Sequence, residues 1–180
     1  DKDRLHSALE EIGHGARGVQ CDVSTADGAR EFVQHALSEL GQIDILIANG
    51  GGPPPGGFAH TEFEAYNEAL QKNLLSVVAM CQEVIPGMQQ RQWGRIVAIT
   101  SVAVRQPIDN LILSPTARSP VPGFFTPLPR DVAKDGITVP TLQPGTPDTH
   151  RLTQLYAAHL AHLARSLPAG FIPHPHHPTS

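Results

Sequence analysis

The sequence predicts an α/β fold, a doubly wound parallel sheet, and three observations carry that expectation. Apolar runs of strand length alternate with segments of helical periodicity, the pattern of strands joined by crossover helices. The runs "IDILIAN" (43–49) and "GRIVAITS" (94–101) are continuously apolar, as parallel strands buried on both faces are. Glycine, asparagine and serine then gather where these runs end, and ligands of such sheets bind outside the carboxyl ends of the strands.

In chain order, residues 2–12 read as an amphipathic helix, with Leu5, Leu9 and Ile12 at helical spacing. "RGVQCDV" (17–23) reads as a short strand. Ser24 followed by Asp27 resembles a capping box that starts a helix running to Leu40. After the strand at 43–49, Thr61 with Glu64 caps a helix whose pattern runs to about Gln90. The strand at 94–101 follows. "GITVPTL" (136–142) reads as a third buried strand in which Pro140 deletes a ladder donor. Residues 151–166 form a last helix, and "PAGFIPHPHHPTS" has no periodicity. The crossovers place helices on both faces of the sheet.

Composition narrows the function. The 180 residues suffice for one domain with a core, and 40% apolar with 17% charged residues is a globular balance. A net charge of −4 gives no reason to expect nucleic acid or an anionic membrane as partner. No apolar run reaches membrane length. Cys21 and Cys81 are too few and too distant for a disulfide framework and fit a reducing cytoplasm. The chain opens within a helical pattern and without Met, as a fragment does.

Several residues at strand ends could carry chemistry, and each has a plainer reading. "NGGGPPPGG" (49–57) could let a backbone approach phosphate or ribose oxygens, or be a Gly/Pro turn. Asp22 could accept from an adenine amino group, or lead the chain into a turn. Asn73 sits mid-helix in "QKNLLSVV", where a poor helix former either bonds to backbone or is simply exposed. Ser101 follows a buried strand. His159 and His162 share a helix face, and His174, His176 and His177 cluster in the tail; without an accompanying carboxylate or cysteine, no metal site is assigned. A serine hydrolase based on Ser101 or Ser114 lacks a Gly-x-Ser-x-Gly elbow.

Taken in order, "CDVS", "DILIANGGGP", "QKNLLSVV", "GRIVAITS" and "PG…T" resemble the short-chain dehydrogenase/reductase family, especially members related to 3-oxoacyl-acyl-carrier-protein reductase. The resemblance covers nearly all of residues 1–170. It implies a single Rossmann-like domain there, with residues 171–180 an irregular Pro/His-rich tail. It also implies a NAD or NADP cofactor, a small carbonyl or alcohol substrate, and assembly as a homo-oligomer, dimer or tetramer. By that likeness Asp22 and Val23 border the adenine, while Asn49, Gly50 and Gly51 touch the cofactor ribose. Asn73 holds a water in a proton relay, and Ser101 hydrogen-bonds the substrate carbonyl. Pro144, Gly145 and Thr149 border the nicotinamide.

Three departures stand out. The family's tyrosine lies thirteen residues after the serine, with a lysine four beyond; here those positions are Ser114 and Arg118. A serine hydroxyl is shorter and far less acidic than a phenol, and arginine will not shuttle a proton. Second, the helix expected from Ser114 to Ala133 contains Pro115, Pro120, Pro122, Pro127 and Pro129, which predicts an irregular segment. Third, the first βαβ portion with its Gly-rich pyrophosphate turn does not precede Asp1, and the family's last strand does not follow Ser180. With strand order 3-2-1-4-5-6-7, places 2 and 1 are empty and the sheet should be discontinuous. If the 180 residues are complete, NAD(P) binding is expected to be weak or absent. The sequence thus predicts an NAD(P)-dependent oxidoreductase with Ser/Arg in place of Tyr/Lys. The rival reading is a non-catalytic Rossmann-like nucleotide- or subunit-binding protein.

Overall fold

A computed structural model of the chain describes residues 2–106, 108–145 and 157. Residues 1–145 form one compact unit. Of the helix expected over 151–166 only Ala157 is described, in helical conformation; the tail, the histidines from 159 onward and Thr149 lie outside the described residues.

The two continuous apolar runs make the centre of the sheet. Strand β1 (Ile45–Ala48) pairs in parallel with β2 (Gly94–Ile99), Ile45 opposite Arg95 through Ala48 opposite Ala98. The third run forms two short strands, β3 (Ile137–Thr138) and β4 (Thr141–Leu142), both parallel to β2. The break falls at Val139–Pro140, where proline has no N–H to give; its carbonyl still accepts from Ala98 N at 3.1 Å.

Period-two alternation decides which strand residues are buried. Leu46, Ala48, Ile96 and Ala98 point into one core with helices α2 (Ala26–Leu40) and α4 (Ser76–Arg91). Val121, Phe125 and Val132, from the short helices described below, complete that core. Ile45 and Ile47 point the other way and are 58% and 54% exposed. The sheet is parallel and Rossmann-like, but among the described residues only one face of β1 is covered.

Residues 17–23 form no strand, which corrects the sequence reading. A strand exists only in a ladder, and among the described residues no backbone pairs with this segment. Helix α1 (Lys2–Ile12) forms where predicted but buries no residue; Leu5 and Leu9 lie on Gly18.

Two helix starts differ from prediction. Thr25, not Ser24, caps α2, its Oγ1 accepting from Gly28 N at 3.1 Å. Thr61 donates instead to Gly57 O at 2.8 Å, and α3 (Phe63–Leu70) begins after Glu62.

The proline-rich segment is also not irregular. It is three short helices: α5 (Leu113–Arg118), α6 (Pro120–Phe125) and α7 (Leu128–Val132). Pro115, Pro120, Pro122 and Pro129 fall in first turns, and Pro127 is an N-cap. A first-turn N–H has no intrahelical acceptor, so proline loses nothing there. The chain restarts a helix where it cannot continue one. Pro86 within α4 leaves the carbonyl of Gln82 without its helical donor, but both residues are exposed. No helix among the described residues is long and apolar enough to cross a membrane.

Candidate functional site

The parallel order brings the carboxyl ends of β1 and β2 side by side, so Asn49–Gly51 lies beside Thr100–Ser101. Strand ends leave carbonyls without ladder donors, and here one side chain supplies them. Arg118, 9% exposed at the end of α5, donates from Nη1 to Ile99 O at 3.1 Å and Thr100 O at 2.9 Å. Its Nη2 donates to Gly50 O at 3.0 Å. A buried guanidinium needs such acceptors, and its planar fork spans both strand ends. The glycine loop is held at its far end too: Gly56 N donates to Asn110 O at 2.8 Å, and Ile112 N to Gly56 O at 3.1 Å.

Asn73 lies in a π-helical turn, Gln71–Leu75, between α3 and α4. A π turn inserts a residue and leaves carbonyls short of donors. Side chains supply two of these: Asn73 Nδ2 donates to Ala69 O at 3.0 Å, and Ser76 Oγ to Lys72 O at 2.7 Å. Asn73 is 5% exposed, so of its two sequence readings the backbone-bonded one holds. The π turn packs against α5, which carries Ser114 and Arg118.

Ser101 Oγ accepts from Ala103 N at 3.2 Å, capping the 3-10 turn Val102–Val104, and its own proton is not used in that bond. That turn also packs on α5. Val102 N donates to Pro144 O at 3.2 Å, which seats Pro144 beside Ser101, with Gly145 next in the chain. Ser114 is half-buried in the second position of α5.

Asp22 and Val23 precede α2. A Cβ at position 28 would collide with the Asp22 carbonyl oxygen, so Gly28 lets the chain turn tightly into the helix. Val23 packs against the core. Asp22 is exposed, and its Oδ1 accepts from Ser24 N at 2.9 Å. Hydrogen bonds from the Ser24 side chain and backbone, with the nearby positive charge of Lys72, hold the Asp22 carboxyl below its ordinary range. Of its two sequence readings the structure shows the turn residue, with its carboxylate ionised.

Sequence reading located Thr100 at a strand end but gave it no role. It is buried, its N and Oγ1 both donate to Leu142 O at 2.8 and 3.1 Å, and its carbonyl receives Arg118. A β-branched hydroxyl at a buried strand's end, directly before Ser101, was the available signal.

Comparison with known proteins agrees with the parallel Rossmann-like fold. Residues 1–159 match the family model of the short chain dehydrogenases. A cyclohexanol dehydrogenase of Rhodococcus sp. is 31% identical over 162 residues, covering 87% of this chain and 60% of that protein. The 3-oxoacyl-acyl-carrier-protein reductase FabG of Escherichia coli is 27% identical over 159 residues, covering 88% and 65%. Among solved structures, a 7α-hydroxysteroid dehydrogenase complexed with NADH and 7-oxo glycochenodeoxycholic acid superposes with a TM-score of 0.75. It is 24% identical, with 84% of this chain and 59% of that chain covered. The chain spans about three fifths of the length of the first curated relatives it matches, 61%, 60% and 60%. Because the family model's match spans residues 1–159, most of the chain, the chain belongs to the short-chain dehydrogenase family.

Proposed function

We propose that the protein is an NAD(P)-dependent oxidoreductase that interconverts a carbonyl and an alcohol on a small molecule, working as a homo-oligomer. The observation that carries this is the convergence of Ser101, the Asn73 turn and Arg118 on the carboxyl ends of β1 and β2. Gly50 and Gly51 leave bare backbone there beside the exposed Asn49, and the ionised, exposed Asp22 offers an acceptor; this donor and acceptor set fits the adenosine half of a dinucleotide. Val23 borders that half, and Pro144 and Gly145 border the other. When bound, the nicotinamide supplies or takes the hydride.

The chain's own residues handle position and proton. The Ser101 hydroxyl donates to the substrate oxygen. Arg118 holds the two strand ends at fixed separation and keeps a positive charge beneath the site. Asn73, buried at the π turn, orders the water through which a proton arrives. Ser114 faces a task its acidity suits poorly, so either its hydroxyl or that water delivers the proton.

The test follows loss of nicotinamide absorbance when the full-length protein meets NADH or NADPH and a panel of ketones. Ketone-dependent oxidation that Ser101→Ala lowers at least ~10²-fold is the expected result, the typical contribution of such a group. Cofactor binding without turnover would favour the second reading, a non-catalytic nucleotide- or subunit-binding protein. Ser114 in the tyrosine's place is the observation that supports that reading.

A further inference from the structure

Lys72 belongs to none of the assignments above. It stands in the π turn, one residue before Asn73. Its backbone touches the loop that follows β1: a Cβ on Gly50 would lie 3.1 Å from the Lys72 carbonyl oxygen. Its side chain continues over the same loop, since a Cβ on Gly51 would lie 3.3 Å from both Lys72 Cε and Nζ. The residue is half-buried. Lysines at helix surfaces ordinarily reach into solvent or pair with acids. Among the described residues, the salt bridges use His6, Arg17, Arg30 and Arg91, and Lys72 is in none of them. Its ammonium instead rests on bare backbone at a strand's carboxyl end, near enough to Asp22 for the carboxylate to feel its charge.

We propose that Lys72 binds the adenosine half of the dinucleotide, its ammonium donating to that half while Asp22 accepts from it and Gly50 and Gly51 leave room for the approach. This rests on the nucleotide-site reading above. The chemistry is complementary. Adenosine offers an amino donor together with ring-nitrogen and ribose-oxygen acceptors, so a site holding a fixed acceptor and a fixed cation can satisfy both kinds of group. A glycine at position 51 keeps that ammonium from being pushed off the loop.

The experiment measures dissociation constants of NADH, NADPH and ADP for the full-length protein and for Lys72→Met and Lys72→Arg. ADP carries the adenosine with both phosphates but without the nicotinamide riboside, and adenosine itself, measured alongside, must show the same loss. The expected result is a roughly tenfold loss of affinity for ADP and for the better dinucleotide in Lys72→Met, the scale of one charged hydrogen bond. Lys72→Arg should recover most of it. In steady state the loss should appear in the cofactor's KM and not in the KM of the carbonyl substrate. Unchanged affinity in Lys72→Met overturns the proposal while leaving the nucleotide site intact. A loss on the dinucleotide but not on ADP also overturns it, because the contact would then not be to adenosine. Failure of the unaltered protein to bind any of the three removes the nucleotide-site reading and this proposal together.

Discussion

A lysine at position 118 would carry its donors on one nitrogen; arginine carries five on a rigid plane. Only the plane reaches Gly50, Ile99 and Thr100 together. Arg118→Met should therefore destabilise by more than the ~1–3 kcal/mol of one unsatisfied buried group, and Arg118→Lys by less, read as urea midpoints. Changing Ser114 to Tyr supplies a phenol, and if the proton step limits turnover, ketone reduction should rise about 10²-fold or more. The double change to Tyr and Lys should raise it further per folded molecule, although its lysine gives up part of the clamp. A fully active parent crippled by the double change would show that the proton travels another way. The clamp was illegible in the sequence, because the acceptors lie 18, 19 and 68 residues away. The Ser and Arg themselves were legible only through the family resemblance, which fixes their places thirteen and seventeen residues after Ser101. The two cysteines also separate at this scale. Burial pushes the Cys81 thiol up from 9.0 to about 12, while Cys21 is exposed but raised by partial burial and by the charges of Asp22 and Glu31. At neutral pH a thiol reagent should label Cys21 slowly and Cys81 only on unfolding, as peptide mass would show. The Cys81 shift also sets a direction: its folded value is raised, so its contribution to stability is whole below pH 9.0 and is lost as pH climbs towards about 12.

At the scale of elements, proline was read correctly once and incorrectly once, for one reason. In β3–β4 it interrupts a ladder, and no local rearrangement restores the missing N–H. In 113–132 it interrupts a helix, and the chain starts another in which proline takes a first-turn place. Counting prolines against a continuous helix gave the wrong outcome because it assumed one helix. Substitution should show the difference. Pro120→Ala should change stability by less than about 1 kcal/mol, since the position is already a first-turn one. Ala117→Pro, at a fully buried position late in α5, should cost about 3 kcal/mol or more, and the two thermal midpoints should differ accordingly. Asn73 was noticed as an oddity, yet the π turn around it was not legible. Helical periodicity describes apolar faces and says little about one inserted residue.

At the scale of the molecule, parallel strand direction was readable, because continuous apolar runs joined by helices admit few arrangements, and the strand order came with the family resemblance. Which faces are covered was misread: helices were expected on both, yet among the described residues one face of β1 is open, since burial depends on what lies alongside. The prediction of a strand at 17–23 failed on the same ground: the residues suit a strand, and among the described residues nothing pairs with them. Ile45 and Ile47 make this testable. They are β-branched, sit on the edge strand of the described sheet, and face away from the core. An exposed apolar edge invites pairing between chains. The 180-residue chain alone should therefore self-associate with rising concentration, and replacing both isoleucines with threonine should suppress this in light scattering. That change should cost the isolated chain little, because side chains already in water lose little burial. In a longer form whose added residues cover this face, the same pair should instead cost several kcal/mol, since burying one such side chain is worth about 1.5–3 kcal/mol. Urea midpoints of the two forms, each with and without the pair of threonines, separate these cases. A large loss in the isolated chain would mean that the exposed face of β1 is covered there after all.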